Sequence, residues 1–202
     1  DEKPISAASI AQVHFAETVS GDPVAVKILR PRVEESFRKD LKLFYSLAGL
    51  LERARPSLAR FKLLEVVETF HNTVRLEMDF RMEAAGACEL SENFADDYSY
   101  DTPEIDWDRT AKRVLTMSRV EGIPLDDRDA LIKAGHNIEE VLTTAATIFF
   151  NQVFRDGFFH GDQHPGNMFV GDDGRIVAVD FGIMGRIDKK TRYFLADMLI
   201  AL

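Results

Sequence analysis

Three short segments carry residue types suited to handling a polyphosphate. The first is Val24-Ala25-Val26-Lys27, a lysine closing an apolar run. On a strand such a lysine is half buried, and a buried ammonium needs an anion beside it. An exposed lysine at a sheet edge is the plainer reading of so short a string. The second is His160-Gly161-Asp162-Gln163-His164-Pro165-Gly166-Asn167. Asp162 and Asn167 stand five positions apart, so one loop can aim an acid–base group and an oxygen ligand at the same centre. Read alone, this loop is also a polar Pro-Gly turn, or a metal site built on His160, Asp162 and His164. The third is Asp180-Phe181-Gly182, directly after the apolar run Arg175–Val179. A carboxylate at a strand end, followed by glycine, can hold a hard cation through oxygen.

Order and spacing join the three. Asp180 follows Asp162 by 18 residues, with a strand–turn–strand pattern between them. The set resembles the strand lysine, the catalytic loop H-R-D-x-x-x-x-N and the D-F-G of protein kinases. That resemblance implies ATP and Mg2+ as cofactors. Two metal ions would be held by Asp180 and Asn167, with Lys27 on the inner phosphates. Asp162 would orient or deprotonate an attacking hydroxyl or water, and catalysis would come from positioning and charge stabilisation.

Departures from ordinary kinases narrow the resemblance. No G-x-G-x-x-G is present; Pro4-Ile5-Ser6-Ala7-Ala8-Ser9-Ile10-Ala11-Gln12-Val13-His14 stands in its place. Small residues still let backbone approach phosphate, but methyl groups restrict the positive φ that glycine permits. This string, the later E-M-D-F-R-M-E-A and the H-G-D-Q-H-P-G-N loop together resemble the UbiB family of atypical, ABC1-type kinases tied to ubiquinone biosynthesis. The resemblance runs from Pro4 to the end, with Ser6 where the family's A-A-A-S has its first alanine. It implies nucleotide contacts by Ala7, Ala8 and Ser9, an ion pair of Glu83 with Lys27, and an E-x-D motif at Glu77 and Asp79. In the family that motif meets a K-x-G-Q segment, which this chain lacks. It further implies lipid or ubiquinone-pathway proteins as partners. The full-length protein is expected on the cytoplasmic side of a membrane.

Two further features bear on the acceptor and the base. Only Ile183 to Ile187 separate the D-F-G from a helix cap at Asp188, which leaves no room for a peptide-binding activation segment. ATP hydrolysis or phosphorylation of a small molecule is therefore expected. A protein kinase, or a nucleotide-binding scaffold without turnover, are the alternatives. Met117 lies where kinases place a gatekeeper, and that resemblance implies that backbone groups from Ser118 to Val120 would meet adenine; read alone, Met117 is core.

The elements that must carry these residues read as follows. A β-hairpin is expected over 5–15 and 22–29 about Ser20-Gly21-Asp22-Pro23. Residues 33–53 carry apolar residues at helical spacing, ended by Pro56. A second helix is expected from about Leu63 to Phe94. On it Asp79 and Glu83 would share a face and Glu77 point elsewhere. Acid-rich helices are usually solvated faces, and the family resemblance alone gives these acids a role. A strand at 112–119, a helix over 139–156 ending at Gly157, and strands Met168–Val170 and Arg175–Val179 follow. Asp188 caps a last helix. The fold expected is α+β and protein-kinase-like in two lobes: residues 1–119 as a small β-containing lobe with inserted helices, and 120–202 as a truncated helical lobe.

Composition excludes other classes. The 202 residues are 46% hydrophobic and 29% charged, with a net charge of −9. No dense Lys/Arg run appears, and the mildly basic stretch Arg53 to Lys62 reads as a solvated helix end, so nucleic acid is not the expected partner. A single cysteine, Cys88, rules out an internal disulfide and a cysteine-built zinc site. The longest apolar stretch, Val141 to Phe154, is interrupted by threonines, Asn151 and Gln152. It falls short of the ~20 apolar residues of a membrane span. Both ends of the chain read as fragment boundaries.

Overall fold

The computed structural model describes residues 3–7 and 10–201. A four-stranded sheet holds β1 (Ser6–Ala7), β2 (Ala11–Glu17), β3 (Pro23–Leu29) and β5 (Val114–Ser118), in that order across the sheet. The expected hairpin is β2–β3, in antiparallel register from Ala11↔Leu29 to Glu17↔Pro23. Its turn closes on Asp22, whose carboxylate accepts from the Thr18 and Ser20 hydroxyls, while Gly21 takes φ +95°. On β3, Ala25, Lys27 and Leu29 are all buried, as the two-residue period of a strand dictates. Lys27 therefore points inward with the core.

What Lys27 meets is set by a helix break. After α1 (Val33–Ala54) and a 3₁₀ turn (Pro56–Phe61), the chain forms α2 (Leu63–Glu77) and α3 (Phe80–Asn93). One continuous helix was the expectation for 63–94. Instead Asp79 adopts extended backbone, φ −118° and ψ 91°, and its carboxylate accepts from the Arg81 N–H at 3.3 Å. Aspartate is a strong N-cap because its side chain satisfies an orphan amide of the first turn. Asp79 thus starts a helix, and the shared face expected for it and Glu83 does not arise. α3 buries Phe80, Glu83, Ala84, Ala87 and Leu90, a stripe at three- and four-residue spacing. Ala84 and Ala87 let it lie close to the sheet. α1 and α2 pack mainly on each other, with Phe44 and Phe70 in edge contact, and bury only Leu41, Ala48 and Val74.

The remaining elements build the other wall. β4 (Tyr100–Asp101) joins a second sheet of order β4-β9-β8-β6, with β6 Ile123–Pro124, β8 Met168–Val170 and β9 Ile176–Ala178. The β8–β9 hairpin is the expected one. Its turn uses Gly174 at φ +83°, the Gly174 N–H donating to the Gly171 carbonyl. α4 (Arg128–Lys133) precedes α5 (Ile138–Phe150), which runs on as a π-helical turn, Asn151–Asp156, and stops at Gly157 in the left-handed region. β7 (Phe158–His160) then pairs antiparallel with β10 (Met184–Arg186). α6 (Lys189–Ile200) is capped as expected, Asp188 accepting from the Thr191 N–H at 2.7 Å. One core joins the walls, from Ala11, Ala25 and Leu29 through α3 to Ile148, Met168, Ile176 and Phe181. Among the described residues no helix is long and apolar enough to cross a membrane.

Candidate active site

Between the two sheets lies a cavity of about 220 Å³. Ile5, Ser6, Val13, Phe15 and Ala25 line it from the first sheet, and Phe169 and Val179 from the second. Its charged and carboxamide groups are Lys27, Glu83, Asn167 and Asp180. Four segments that lie far apart in the chain converge there.

Lys27 is the centre of this group. Its Nζ lies 2.7 Å from Glu83 Oε1 and 2.9 Å from Asp180 Oδ1, and 5.7 Å from the centre of the Phe80 ring. Lys27 and Glu83 are 7% and 5% exposed, so water screens this pair weakly. Burial alone would push the ammonium down, but the two carboxylates outweigh it and hold Lys27 above the ordinary lysine value. Burial pushes Glu83 above the usual carboxylate range, with Lys27 opposing. For Asp180 burial is outweighed by the Lys27 charge and hydrogen bond, and its pKa lies below the ordinary one. Glu83 also accepts from the Phe181 N–H at 3.2 Å, so one carboxylate ties strand lysine, helix and D-F-G together.

Asp180 sits at φ +67°. A non-glycine residue in the left-handed region is uncommon and costs about 1–3 kcal/mol, a strain that clusters at functional sites. The surroundings fix it. Phe181 is 1% exposed and packs against the buried His160 ring at 5.7 Å, while the Val179 N–H donates to the Asn167 carbonyl. The phenylalanine is pinned inward and the carboxylate is turned out into the cavity, where its side chain is 45% exposed.

Asp162 stands apart from that cluster. It is exposed, and among the described residues its carboxylate has no hydrogen-bond or ion-pair partner. Its backbone is held firmly: its N–H donates to His160 Nδ1 at 3.1 Å, and its carbonyl accepts from the His164 N–H at 2.8 Å and Asn167 Nδ2 at 3.4 Å. The loop thus binds Asp162 to Asn167 and leaves the carboxylate exposed. Gly161 fits against Ile183, donating its N–H to the Ile183 carbonyl at 2.8 Å. A Cβ there would lie 2.9 Å from the Ile183 side chain.

Other expected residues fall differently. Ser118 lines the cavity, but its N–H donates to the Glu104 carbonyl at 2.8 Å and cannot serve a base. The Arg119 N–H is likewise committed to the Pro23 carbonyl. Val120 lines the cavity, and among the described residues its N–H donates to nothing. Met117 also lines the cavity and is buried. Ala7 lies on β1, while Ala8 and Ser9 lie outside the described residues. Glu77 and Asp79 border a separate groove of about 370 Å³ between α2, α3 and the segment after Gly182. Asp79 is bound there by the Arg81 guanidinium at 2.6 Å. The metal reading of His160, Asp162 and His164 fails: His160 is 3% exposed, and its Nδ1 and that of His164 accept backbone N–H groups. Among the described residues no group of three or more His, Cys, Asp or Glu side chains can hold a metal. Sequence reasoning passed over Gln152, which is 0% exposed and meets the loop from below. The signal was a carboxamide continuing the buried face of α5 after Ile148.

Comparison with known proteins shows the family of the chain. The family description "ABC1 atypical kinase-like domain" matches residues 1–202. Proteins named probable protein kinase UbiB are similar along the chain. The one from Marinobacter nauticus is 45% identical over 98% of this chain and 37% of its own length. That from Azotobacter vinelandii is 39% identical over 100% and 38%. The chain therefore spans little more than a third of these curated relatives. Among solved structures, the Rv3197–erythromycin complex from Mycobacterium tuberculosis is 28% identical with a TM-score of 0.71, over 100% of this chain and 53% of that one. The Rio2 kinase–ADP/Mg2+–phosphoaspartate complex from Chaetomium thermophilum is 12% identical with a TM-score of 0.50, over 94% and 50%, a likeness of fold alone. The fold is protein-kinase-like, with a β-containing lobe and helices, and the chain belongs to the ABC1 atypical kinase-like family, with UbiB proteins among its relatives.

Proposed function

We propose that this chain binds ATP with Mg2+ in the cavity between its sheets and passes the terminal phosphoryl group to water or a small molecule. The observation that carries this reading is the convergence of Lys27, Glu83, Asp180 and Asn167 on one cavity, with Asp162 on the adjoining loop. In it, residues 1–119 and 120–202 act as two lobes hinged at Ser118–Gly122. The base meets the Val120 N–H, and the Ala7–Ser9 segment lies over the phosphates.

The donor set suits magnesium. Mg2+ prefers oxygen and is usually held by one or two carboxylates plus substrate phosphates rather than by an all-protein cage. Asp180 and Asn167 would hold it, Asp180 Oδ1 being engaged by Lys27 and Oδ2 remaining open. Bound there, the ion would neutralise phosphate charge. Lys27 remains an ammonium at neutral pH and stabilises the inner phosphates. Glu83 keeps that ammonium from wandering. Asp162 accepts a proton from, or orients, the attacking hydroxyl or water.

The short segment after Gly182 favours a small acceptor. Met184, Gly185 and Arg186 are spent pairing with His160, Phe159 and Phe158, and Asp188 already caps α6. No chain is left there to cradle a peptide. The resemblance to the UbiB family leads us to assign the whole protein a role in ubiquinone biosynthesis at a membrane, with lipid or pathway proteins as partners. The test is phosphate release from ATP with and without a quinone-like lipid, with products analysed for phosphorylated lipid and phosphorylated protein. Turnover abolished by Asp180→Asn supports the reading. Phosphate recovered on protein would favour the protein-kinase alternative. Nucleotide binding without turnover under any condition would favour a scaffold.

A further inference from the structure

Asp162 owes its aim to its loop, since among the described residues its carboxylate has no hydrogen-bond or ion-pair partner. Beneath the contacts within the loop, one buried side chain ties it to the helix below. Gln152 lies in the π-helical turn that extends α5, fully buried, one α-helical period beyond the buried Ile148. Its Oε1 accepts from the His160 N–H at 3.0 Å and from Gln163 Nε2 at 3.1 Å. These donors flank Asp162, one at the end of β7 and one just past the acid. The amide orientation is fixed by this pair, because only the oxygen can accept two N–H groups. Its nitrogen and the hydroxyl of the buried Tyr100, at the start of β4, are both buried without a hydrogen-bond partner among the described residues. Burial pushes that phenol well above its ordinary pKa, with the Gln152 amide opposing the rise. The π turn, a feature common at functional sites, brings both Gln152 and Val153 into the core.

We propose that Gln152 is the positioning residue of the catalytic loop: through one carbonyl oxygen it fastens His160 and Gln163 to the helical floor, and so fixes Asp162 between them. Its effect on turnover rests on the phosphoryl-transfer reading above; its hold on the loop does not. Replacing the carboxamide by an apolar chain of similar length removes the acceptor, leaves the buried His160 N–H unpaired and lets Asp162 drift. A buried donor left unpaired loosens its own segment first. Because Lys27 and Asp180 are held by each other and by Glu83, and Asn167 keeps the bond of its carbonyl to the Val179 N–H, nucleotide binding persists.

The test compares Gln152→Met and Gln152→Glu with the wild type in the full-length protein, by amide hydrogen exchange and steady-state kinetics. In Gln152→Met, exchange rises at 158–164 and stays unchanged in β3 and α3. kcat falls by roughly the 10²-fold that a misplaced group costs, while KM for ATP stays within about threefold. Gln152→Glu keeps an acceptor oxygen and recovers most of kcat. Unchanged exchange at 158–164 in Gln152→Met overturns the proposal, whether or not the wild type turns over ATP. So does a rise spread evenly over β3 and α3, which marks lost global stability, and so does an undiminished kcat in an active enzyme. A wild type without turnover overturns the phosphoryl-transfer reading instead, and the exchange pattern alone then decides the hold on the loop.

Discussion

Lys27 is the residue on which the charge balance turns. It stands between two carboxylates, one buried and one half exposed, so removing it leaves like charges facing each other in a poorly screened place. Lys27→Met is expected to cost about 3–5 kcal/mol at neutral pH, the usual penalty for orphaning a buried charge. The pH dependence follows from the directions of the shifts. Asp180 lies below its ordinary value, so its contribution is full above the unfolded carboxylate value and fades as pH falls through the folded one. Lys27 lies above its ordinary value, so its contribution is full at neutral pH and fades only as alkaline pH passes the folded value. Glu83 is raised, so its burial weighs against folding once pH climbs past the unfolded carboxylate value, near pH 4.3. The wild type should therefore hold its stability across neutral pH and lose it in acid. In Lys27→Met, denaturant midpoints should rise as pH falls from 7 toward 5, because protonating Glu83 relieves the repulsion. A midpoint that fell with pH in that variant would show that Glu83 carries no buried charge.

Asp162 presents the opposite case, an acid with no partner to disturb. Asp162→Asn should leave ATP affinity within a few fold and lower turnover by roughly 10²–10⁴, the range for a lost acid–base group. Binding and turnover lost together would assign it to holding metal or structure instead.

At the scale of elements, the site is made by breaks as much as by regular structure. Asp79 ends α2 and begins α3, and that restart is what points Glu83 at Lys27. The π turn after α5 does the same for Gln152. The β7–β10 pair closes the site from below, and its tolerance is narrow. A Cβ on Gly185 would run into the Phe159 ring. Gly185→Ala should therefore destabilise the chain by about 1–3 kcal/mol through overpacking, read as a lower thermal midpoint. Gly135→Ala, where a Cβ meets nothing within 4 Å but φ is +92°, should show backbone strain without a clash. If the two shifted the midpoint alike and by less than a degree, the Phe159 contact would be yielding.

For the whole molecule, legibility in the sequence followed the range of the interaction. α1, the two hairpins and the Asp188 cap were legible because each is set by neighbours within a few positions. The two-residue strands β4 and β6 were not, since they exist only through partners far along the chain, Ile176 and Val170. The break at Asp79 was hidden by strong helix formers on both sides, which look continuous until the cap competes. Lys27, Asn167 and Asp180 were legible through spacing that resembles a family. The committed N–H of Ser118 was not, because it depends on where Glu104 folds back.

In the proposed function one cavity takes nucleotide and cation together. The direct measurement is calorimetric titration of ATP into the protein with Mg2+ and with a chelator, for the wild type and Asp180→Ala. The account predicts affinity that depends on Mg2+ in the wild type and a loss of that dependence, with weaker binding, in the variant. Equal affinity with and without Mg2+, or an Asp180→Ala variant that binds Mg2+–ATP as tightly as the wild type, would contradict it.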